Sequence, residues 1–300
     1  MYMIASLLFH MASAMSLRAD KTGGDILWSG SKISLLTMET RATNRLRLLN
    51  NPPKNYYVEN VGAGVKIRNK TEAYLMKVKL VKEWLEEHLK KQQFPPSHMV
   101  AFMDSDVMYA GCSEEEFEHR VELITRASGA KVVFGAEFNC FQAPVSCKVY
   151  PETHRTAVLK AFSLPQDQMT KWALSDKMQL KYLNSGFVVG RADALLDVYQ
   201  KWYSLFNNAT VGMWDGGYAQ KIFVDHPELV TLDYAGALVN NLREYSMERT
   251  DKQQLFTWKR ESQRWFDNAN HMDACFFHGN GVRGKRKIKA LLTRNAKECE

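Results

Sequence analysis

Four apolar residues, Val100-Ala101-Phe102-Met103, run directly into Asp104-Ser105-Asp106 before the chain turns apolar again at Val107. A short apolar run with an abrupt polar stop describes a buried strand that delivers two carboxylates, one residue apart, to a sheet edge. Oxygen-rich pairs of this kind suit a hard divalent cation such as Mn²⁺ or Mg²⁺, and that ion in turn neutralises a diphosphate. The same two side chains can instead cap the backbone of a turn.

The flanking segments decide the kind of sheet. Ile33 to Met38 reads as a first strand with Glu39 and Thr40 at its end. Residues 50–64 carry Pro52, Pro53, Gly62 and Gly64 and read as loop, with one short strand at Tyr56-Tyr57-Val58. From about Glu72 to Lys91, Leu75, Val78, Val81, Leu85 and Leu89 fall on one helical stripe, and Pro95-Pro96 ends it. Ser113 and Glu116 form a capping box that opens a helix with Phe117, Val121 and Ile124 inward, stopped by Gly129. Lys131 to Glu137 and Tyr182 to Gly190 read as further strands, and Arg191 to Tyr203 as a helix. Strands alternating with helices imply an α/β sheet, largely parallel, with ligands at the carboxyl ends of its strands. Glu39, Asp104, Asp106 and Glu137 all sit at such ends. No repeat, low-complexity tract or dividing linker interrupts the 300 residues, whose 45% hydrophobic and 24% charged content suits a globular chain.

Charge and cysteines bound the setting. The net charge of +7 is concentrated at Arg283, Lys285, Arg286, Lys287 and Lys289, a cluster suited to nucleic acid, a membrane surface or ligand phosphates, or to a solvated tail. No apolar run reaches transmembrane length. Met1 to Ala14 has a signal-like apolar core and an Ala-Ser-Ala end, but no preceding Lys or Arg. The sequons at Asn69 and Asn208 would permit N-glycosylation in the secretory lumen; a cytoplasmic location is the alternative. Cys140 and Cys147 can close one disulfide, whereas Cys112, Cys275 and Cys299 show no pattern and read as buried thiols.

The ordered set of segments resembles the glycosyltransferase domain of lysyl hydroxylases and, more distantly, other collagen-modifying glycosyltransferases. It comprises Leu35 to Thr40, Lys77 to Glu83, Phe102 to Val107 with Ala110-Gly111, Val133 to Glu137 followed by Cys140, Tyr182-Leu183-Asn184-Ser185-Gly186-Phe187, and His278-Gly279-Asn280-Gly281. The resemblance implies a GT-A-like (Rossmann-like), mostly parallel sheet flanked by helices. It also implies a single domain over residues 31–292, between an N-terminal extension at 1–30 and a tail at 293–300. The implied activity is transfer of a hexose, glucose or galactose, from a UDP-sugar to a hydroxyl acceptor such as hydroxylysine or another hydroxylated substrate.

The resemblance also assigns roles. Asp104, Asp106 and His278 would hold Mn²⁺ or Mg²⁺ against the diphosphate, with Ser105 between the acids. Gly279, Asn280 and Gly281 would let the backbone approach the anion, and Lys285 would reach the same phosphates in competition with Arg283 and Arg286. Thr37, Glu39 and Thr40 would face the nucleotide. Lys77 would contact the uridine or phosphate, unless it is a solvated helix-face lysine. Asn184, with Ser185, would line the donor pocket or form a strand-edge turn. Glu137 and Asp215 are the carboxylates eligible as catalytic base or sugar contact, a plain Asp-Gly turn being the alternative for Asp215.

Three departures bear on sugar and acceptor choice. The carboxylates are one residue apart and not two. The family's Cys-Trp-Pro is here Cys140-Phe141-Gln142-Ala143-Pro144, and its acid-rich run is reduced to Trp214-Asp215-Gly216-Gly217-Tyr218. His271-Met272-Asp273 mimics an iron-oxygenase motif, but no second His follows His278, so that chemistry is rejected. The competing reading is a nucleic-acid-binding protein, or a modified-nucleobase glucosyltransferase, using the 283–289 cluster; aromatic residues for base stacking are missing there.

Overall fold

A computed structural model describes residues 31–40, 56–137, 140, 152–163, 180–207, 214–242, 256–259, 261–262, 264–267 and 272–280. In chain order these form β1 (Ile33–Met38), β2 (Tyr57–Asn60), α1 (Lys70–Lys90), β3 (Met99–Asp104), β4 (Val107–Tyr109), α2 (Glu114–Ser128), β5 (Val132–Glu137) and α3 (Glu152–Ala161). Then come β6 (Tyr182–Arg191), α4 (Ala192–Asn207) and α5 (Asp215–Asp225), and six short strands: β7 (Val230–Leu232), β8 (Val239–Asn241), β9 (Phe256–Lys259), β10 (Arg264–Asp267), β11 (Met272–Asp273) and β12 (Phe276–His278). Residues 1–30, 281–300, Asn208 and Cys147 lie outside the described residues, and with them the signal-like segment, both outer domain limits, Gly281, Lys285 and the basic cluster.

The main sheet has the order β2-β1-β3-β6-β5-β7. It is the mixed α/β, mostly parallel sheet that the alternation implies. β1 is parallel to β2 and β3, and β5 to β7; β6 alone runs against its neighbours β3 and β5. β1, β3 and β5 are almost wholly buried, as apolar strands covered by helices must be. α1 packs on α4 and α4 on α5, while α2 packs on α3. A second sheet, β4-β12-β8, follows β3 directly and carries its turn residues toward β12.

Because β6 is antiparallel, its N-terminal half lies beside the carboxyl ends of β3 and β5. Phe187 is opposite Met103, and Tyr182 is opposite Glu137. The β5 register jumps from Phe134↔Val188 to Gly135↔Asn184, so Ser185, Gly186 and Phe187 have no partner on β5. This bulge aims Ser185 and Gly186 away from the ladder.

Local signals place the helices. Asn69 caps α1 by accepting the Glu72 N–H at 2.9 Å. Ser113 caps α2, Gly129 ends it at φ 76°, and Phe117, Val121 and Ile124 face inward as predicted. Three expectations change. The buried stripe of α1 is Lys77, Val78, Val81, Trp84 and Leu85, so Lys77 is no solvated lysine, and Leu75 and Leu89 are half-buried. Asp215 opens a helix and not a free turn, because Tyr218, Ala219, Ile222 and Phe223 bury one face and override the two glycines. Cys112 and Cys275 are not free thiols: they form a disulfide, with Cα atoms 4.7 Å apart across 163 residues of sequence. Cys140 is disulfide-bonded too. No helix among the described residues is long and apolar enough to cross a membrane.

Candidate active site

The carboxyl edge of the sheet gathers most of the polar residues singled out from sequence. Asp104 ends β3, Asp106 lies in the tight turn to β4, and His278 ends β12, whose antiparallel pairing sets His278 opposite Val107. One ligand atom from each of Asp104, Asp106 and His278 lies within 4.8 Å of the others. The Gly279 N–H donates to the Asp106 carbonyl at 3.1 Å, fixing the turn against the His-Gly segment. The Cys112–Cys275 disulfide staples the same two segments, six residues past Asp106 and three before His278.

The orientation of His278 is set from behind. Asn241, fully buried at the end of β8, donates Nδ2 to the Ala136 carbonyl at 2.8 Å, so its Oδ1 faces the ring. That oxygen lies 2.6 Å from His278 Nδ1, which must therefore carry a proton and donate it. Nε2 points to the carboxylates, 3.0 Å from Asp106 Oδ1. Burial opposes the imidazolium, but Asp106, Asp104 and Glu137 outweigh it and raise the His278 pKa above its ordinary value. With the proton removed, the same nitrogen offers a lone pair to a cation. Gly186 makes this geometry possible: a Cβ there would sit 2.3 Å from His278 Cε1 and 2.9 Å from Asp104 Oδ2.

Lys77 links this group to Asp215. Its ammonium lies 2.8 Å from Asp104 Oδ1 and 2.8 Å from Asp215 Oδ2, and donates to the Ser185 carbonyl at 2.8 Å. Burial works against that charge, but the two carboxylates hold the lysine above its usual range. Asp215 Oδ2 also accepts the Ser185 hydroxyl at 2.9 Å, and its backbone carbonyl accepts the Trp202 indole N–H at 3.0 Å. Asp215 is thus buried and anchored, one lysine away from the cation ligands. Burial raises the Asp104 carboxyl, against the pull of Lys77 and His278, although 35% of the side chain still faces the cleft. The Tyr199 phenol, fully buried, has no hydrogen-bond partner among the described residues; burial and then the charges of Asp104 and Asp215 keep it protonated.

The other candidates are placed as follows. Glu137 is buried at the tip of β5, and Asn280 donates to its Oε2 at 3.3 Å. Asn184 accepts the Gly186 N–H at 2.9 Å, shaping the bulge. Glu39 is buried, its backbone clasped by the Asn60 side chain through two 2.9 Å bonds, and Thr40 beside it is half-buried. Thr37 is fully buried, its hydroxyl without a hydrogen-bond partner among the described residues. Ser105 is half-exposed in the turn. Sequence reasoning missed Asn241 and Asn60; two adjacent asparagines in the apolar run Ala237-Leu238-Val239-Asn240-Asn241 were the available signal. His271-Met272-Asp273 is no oxygenase motif, since Asp273 pairs with Arg120 at 3.0 Å and Arg264 at 3.1 Å.

Two acids, Asp104 and Asp106, a histidine with its far nitrogen already bonded, and space kept by a glycine form an oxygen-rich donor set. That set fits Mn²⁺ or Mg²⁺ with positions left for ligand oxygens. No protein-family model and no curated protein matches the sequence. Among solved structures, the chain is similar to a glycosyltransferase involved in glycosylation of the major capsid of PBCV-1 (TM-score 0.42, 14% identity, 86% of this chain and 98% of that one). It is similar also to mouse xyloside xylosyltransferase 1 (0.39, 13%, 83% and 84%) and to the bifunctional glycosyltransferase WbbM (0.36, 12%, 71% and 40%). At these scores the reading of the site rests on its own geometry.

Proposed function

We propose that this chain is a metal-dependent glycosyltransferase of GT-A type that moves a hexose from a UDP-sugar to a hydroxyl acceptor. The observation that carries the reading is the convergence of Asp104, Asp106 and His278, with Nδ1 of His278 already committed to Asn241. Mn²⁺ or Mg²⁺, when bound, would supply Lewis-acid stabilisation of the departing diphosphate. Asp104 and Asp106 would hold the ion and His278 would complete the set after yielding its Nε2 proton.

Lys77 keeps Asp104 and Asp215 in place and presents a positive charge beside the phosphates. Glu137 and Asp215 are the carboxylates eligible as catalytic base or sugar contact. Asp215 has one oxygen occupied by Lys77 and Ser185, which suits it to positioning and to a sugar hydroxyl. Glucose or galactose as donor sugar, and hydroxylysine or another hydroxylated molecule as acceptor, follow the lysyl hydroxylase-like motifs. The Cys112–Cys275 disulfide and the bonded Cys140 favour an oxidising compartment, in line with the secretory lumen.

The test is turnover of a UDP-sugar panel with Mn²⁺ and with EDTA, for the wild type and Asp106→Asn. Turnover that needs both the metal and Asp106 is expected; full activity in EDTA, or no donor turned over at all, overturns the reading.

A further inference from the structure

Among the described residues one large aromatic side chain is exposed and the rest are buried or half-buried: Trp214 is 54% exposed. An isolated exposed indole needs no explanation, but this one is organised. Tyr74 lies nearly parallel to it, with ring centroids 6.3 Å apart and planes 18° apart. The Lys70 ammonium sits 4.4 Å from the Trp214 centroid and 5.6 Å from that of Tyr74. Among the described residues no carboxylate pairs with Lys70, so its charge remains available to an incoming group.

Position gives the cluster its meaning. Trp214 is the N-cap residue of α5 and immediately precedes Asp215. Lys70, Tyr74 and Lys77 are spaced i, i+4 and i+7 on α1, so they share one helical face. The platform and the Lys77–Asp215 pair are therefore built from the same two elements, the platform at their exposed ends and the pair inside. Whatever rests on Trp214 is next to the proposed transfer site, on the side of Asp215.

We propose that Trp214, backed by Tyr74 and Lys70, is a stacking platform for a saccharide acceptor. A pyranose ring presents an apolar C–H face of about the area of an indole, while its hydroxyls stay in water or meet a donor such as the lysine ammonium. A rigid aromatic surface suits such a ligand at low entropic cost. The inference rests on the sugar-transfer reading of the neighbouring site and adds that the accepting hydroxyl belongs to a molecule that already carries a sugar ring.

Ligand-observed saturation-transfer NMR on the metal-free chain tests the platform without requiring turnover. The probes are β-linked disaccharides of galactose, glucose and xylose, with hydroxylysine as the control lacking a ring. Saturation of C–H protons on one sugar face is expected in the wild type, reduced about tenfold or more in Trp214→Ala and largely retained in Trp214→Phe. No saturation of any disaccharide, or equal saturation in Trp214→Ala, overturns the platform. Failure of the sugar-transfer reading is seen separately, as absence of UDP-sugar turnover in the wild type.

Discussion

Two clusters in this molecule each set carboxylates against basic side chains, and they come to opposite ends. In one, Arg120 and Arg264 meet Glu116 and Asp273: Arg264 donates to both acids, at 2.6 and 3.1 Å, and Arg120 reaches Asp273 at 3.0 Å and the Ala237 carbonyl at 2.7 Å. Two cations face two anions, and the forked guanidinium geometry satisfies the carboxylate oxygens. In the other, Asp104, Asp106 and Asp215 face one permanent cation, Lys77, and a histidine whose charge is conditional. The first cluster is complete and ties α2 to the β9–β11 sheet. The second has carboxylate in excess at a strand edge, which is the condition for attracting a metal ion. Charge balance, more than burial, separates architecture from site.

Mutation should separate them most sharply. Asp106→Asn is expected to lower sugar transfer by roughly 10²–10³-fold, the usual scale for losing a preorganised electrostatic contact, with little change in melting temperature. Arg120→Ala should do the reverse, costing about 3–5 kcal/mol of stability by leaving the buried Ala237 carbonyl unpaired and Arg264 alone against Glu116 and Asp273, while activity per folded molecule persists. Steady-state rates set beside thermal melts check both; a melting loss for Asp106→Asn as large as that for Arg120→Ala would erase the distinction.

Lys77→Met belongs to both categories and should show both losses. It strands Asp104 and Asp215, at a cost again of about 3–5 kcal/mol, and removes the link across the site. A stable, active Lys77→Met protein would mean that the lysine is incidental. Next in size is the staple between the Asp-x-Asp turn and β12. Replacing Cys112 and Cys275 together by Ala should cost about 2–5 kcal/mol, read from denaturant midpoints. Gly186→Ala should weaken Mn²⁺ binding about tenfold or more by pushing His278 aside, with the Arg cluster and far-UV spectrum unchanged.

The smallest expected effect is on pH dependence, where the clusters differ in sign. Glu116 and Asp273 are held below the ordinary carboxylate range by the two arginines, against the opposing effect of burial. Their stabilisation is present above that range and lost as pH falls through their lowered values. The metal-free His278–Asp106 pair does the opposite: His278 is raised, so its contribution is complete below about pH 6.5 and lost as pH rises through the raised value. Melting curves of Asp106→Asn and Arg264→Met against pH should therefore diverge from wild type at opposite ends of the range.

The fold was legible where apolar periodicity is strong. β1, β3, β5, β6 and helices α1, α2 and α4 fall where the apolar runs and caps put them, because each is covered on at least one face by the core. Asp104, Asp106 and His278 could be brought together on paper through short motifs in a known order. What stayed hidden depends on contacts across the chain. The direction of β6 and its bulge at Ser185–Phe187 follow from pairing with two strands at once. Lys77 reads from sequence as a nucleotide contact or a solvated helix-face lysine, and nothing local announces its pairing with Asp215, 138 residues away. The Cys112–Cys275 bridge has no spacing signal, and the strands from β7 to β12 are too short for periodicity to register.

The central claim is that the unbalanced cluster is a cation-dependent diphosphate site, and calorimetric titration of UDP tests it most directly. With Mn²⁺ present, UDP should bind the wild type at least about tenfold more tightly than in EDTA, and that gain should vanish in both Asp106→Asn and His278→Ala. UDP binding of equal strength in EDTA, or a metal gain that survives both substitutions, would contradict it.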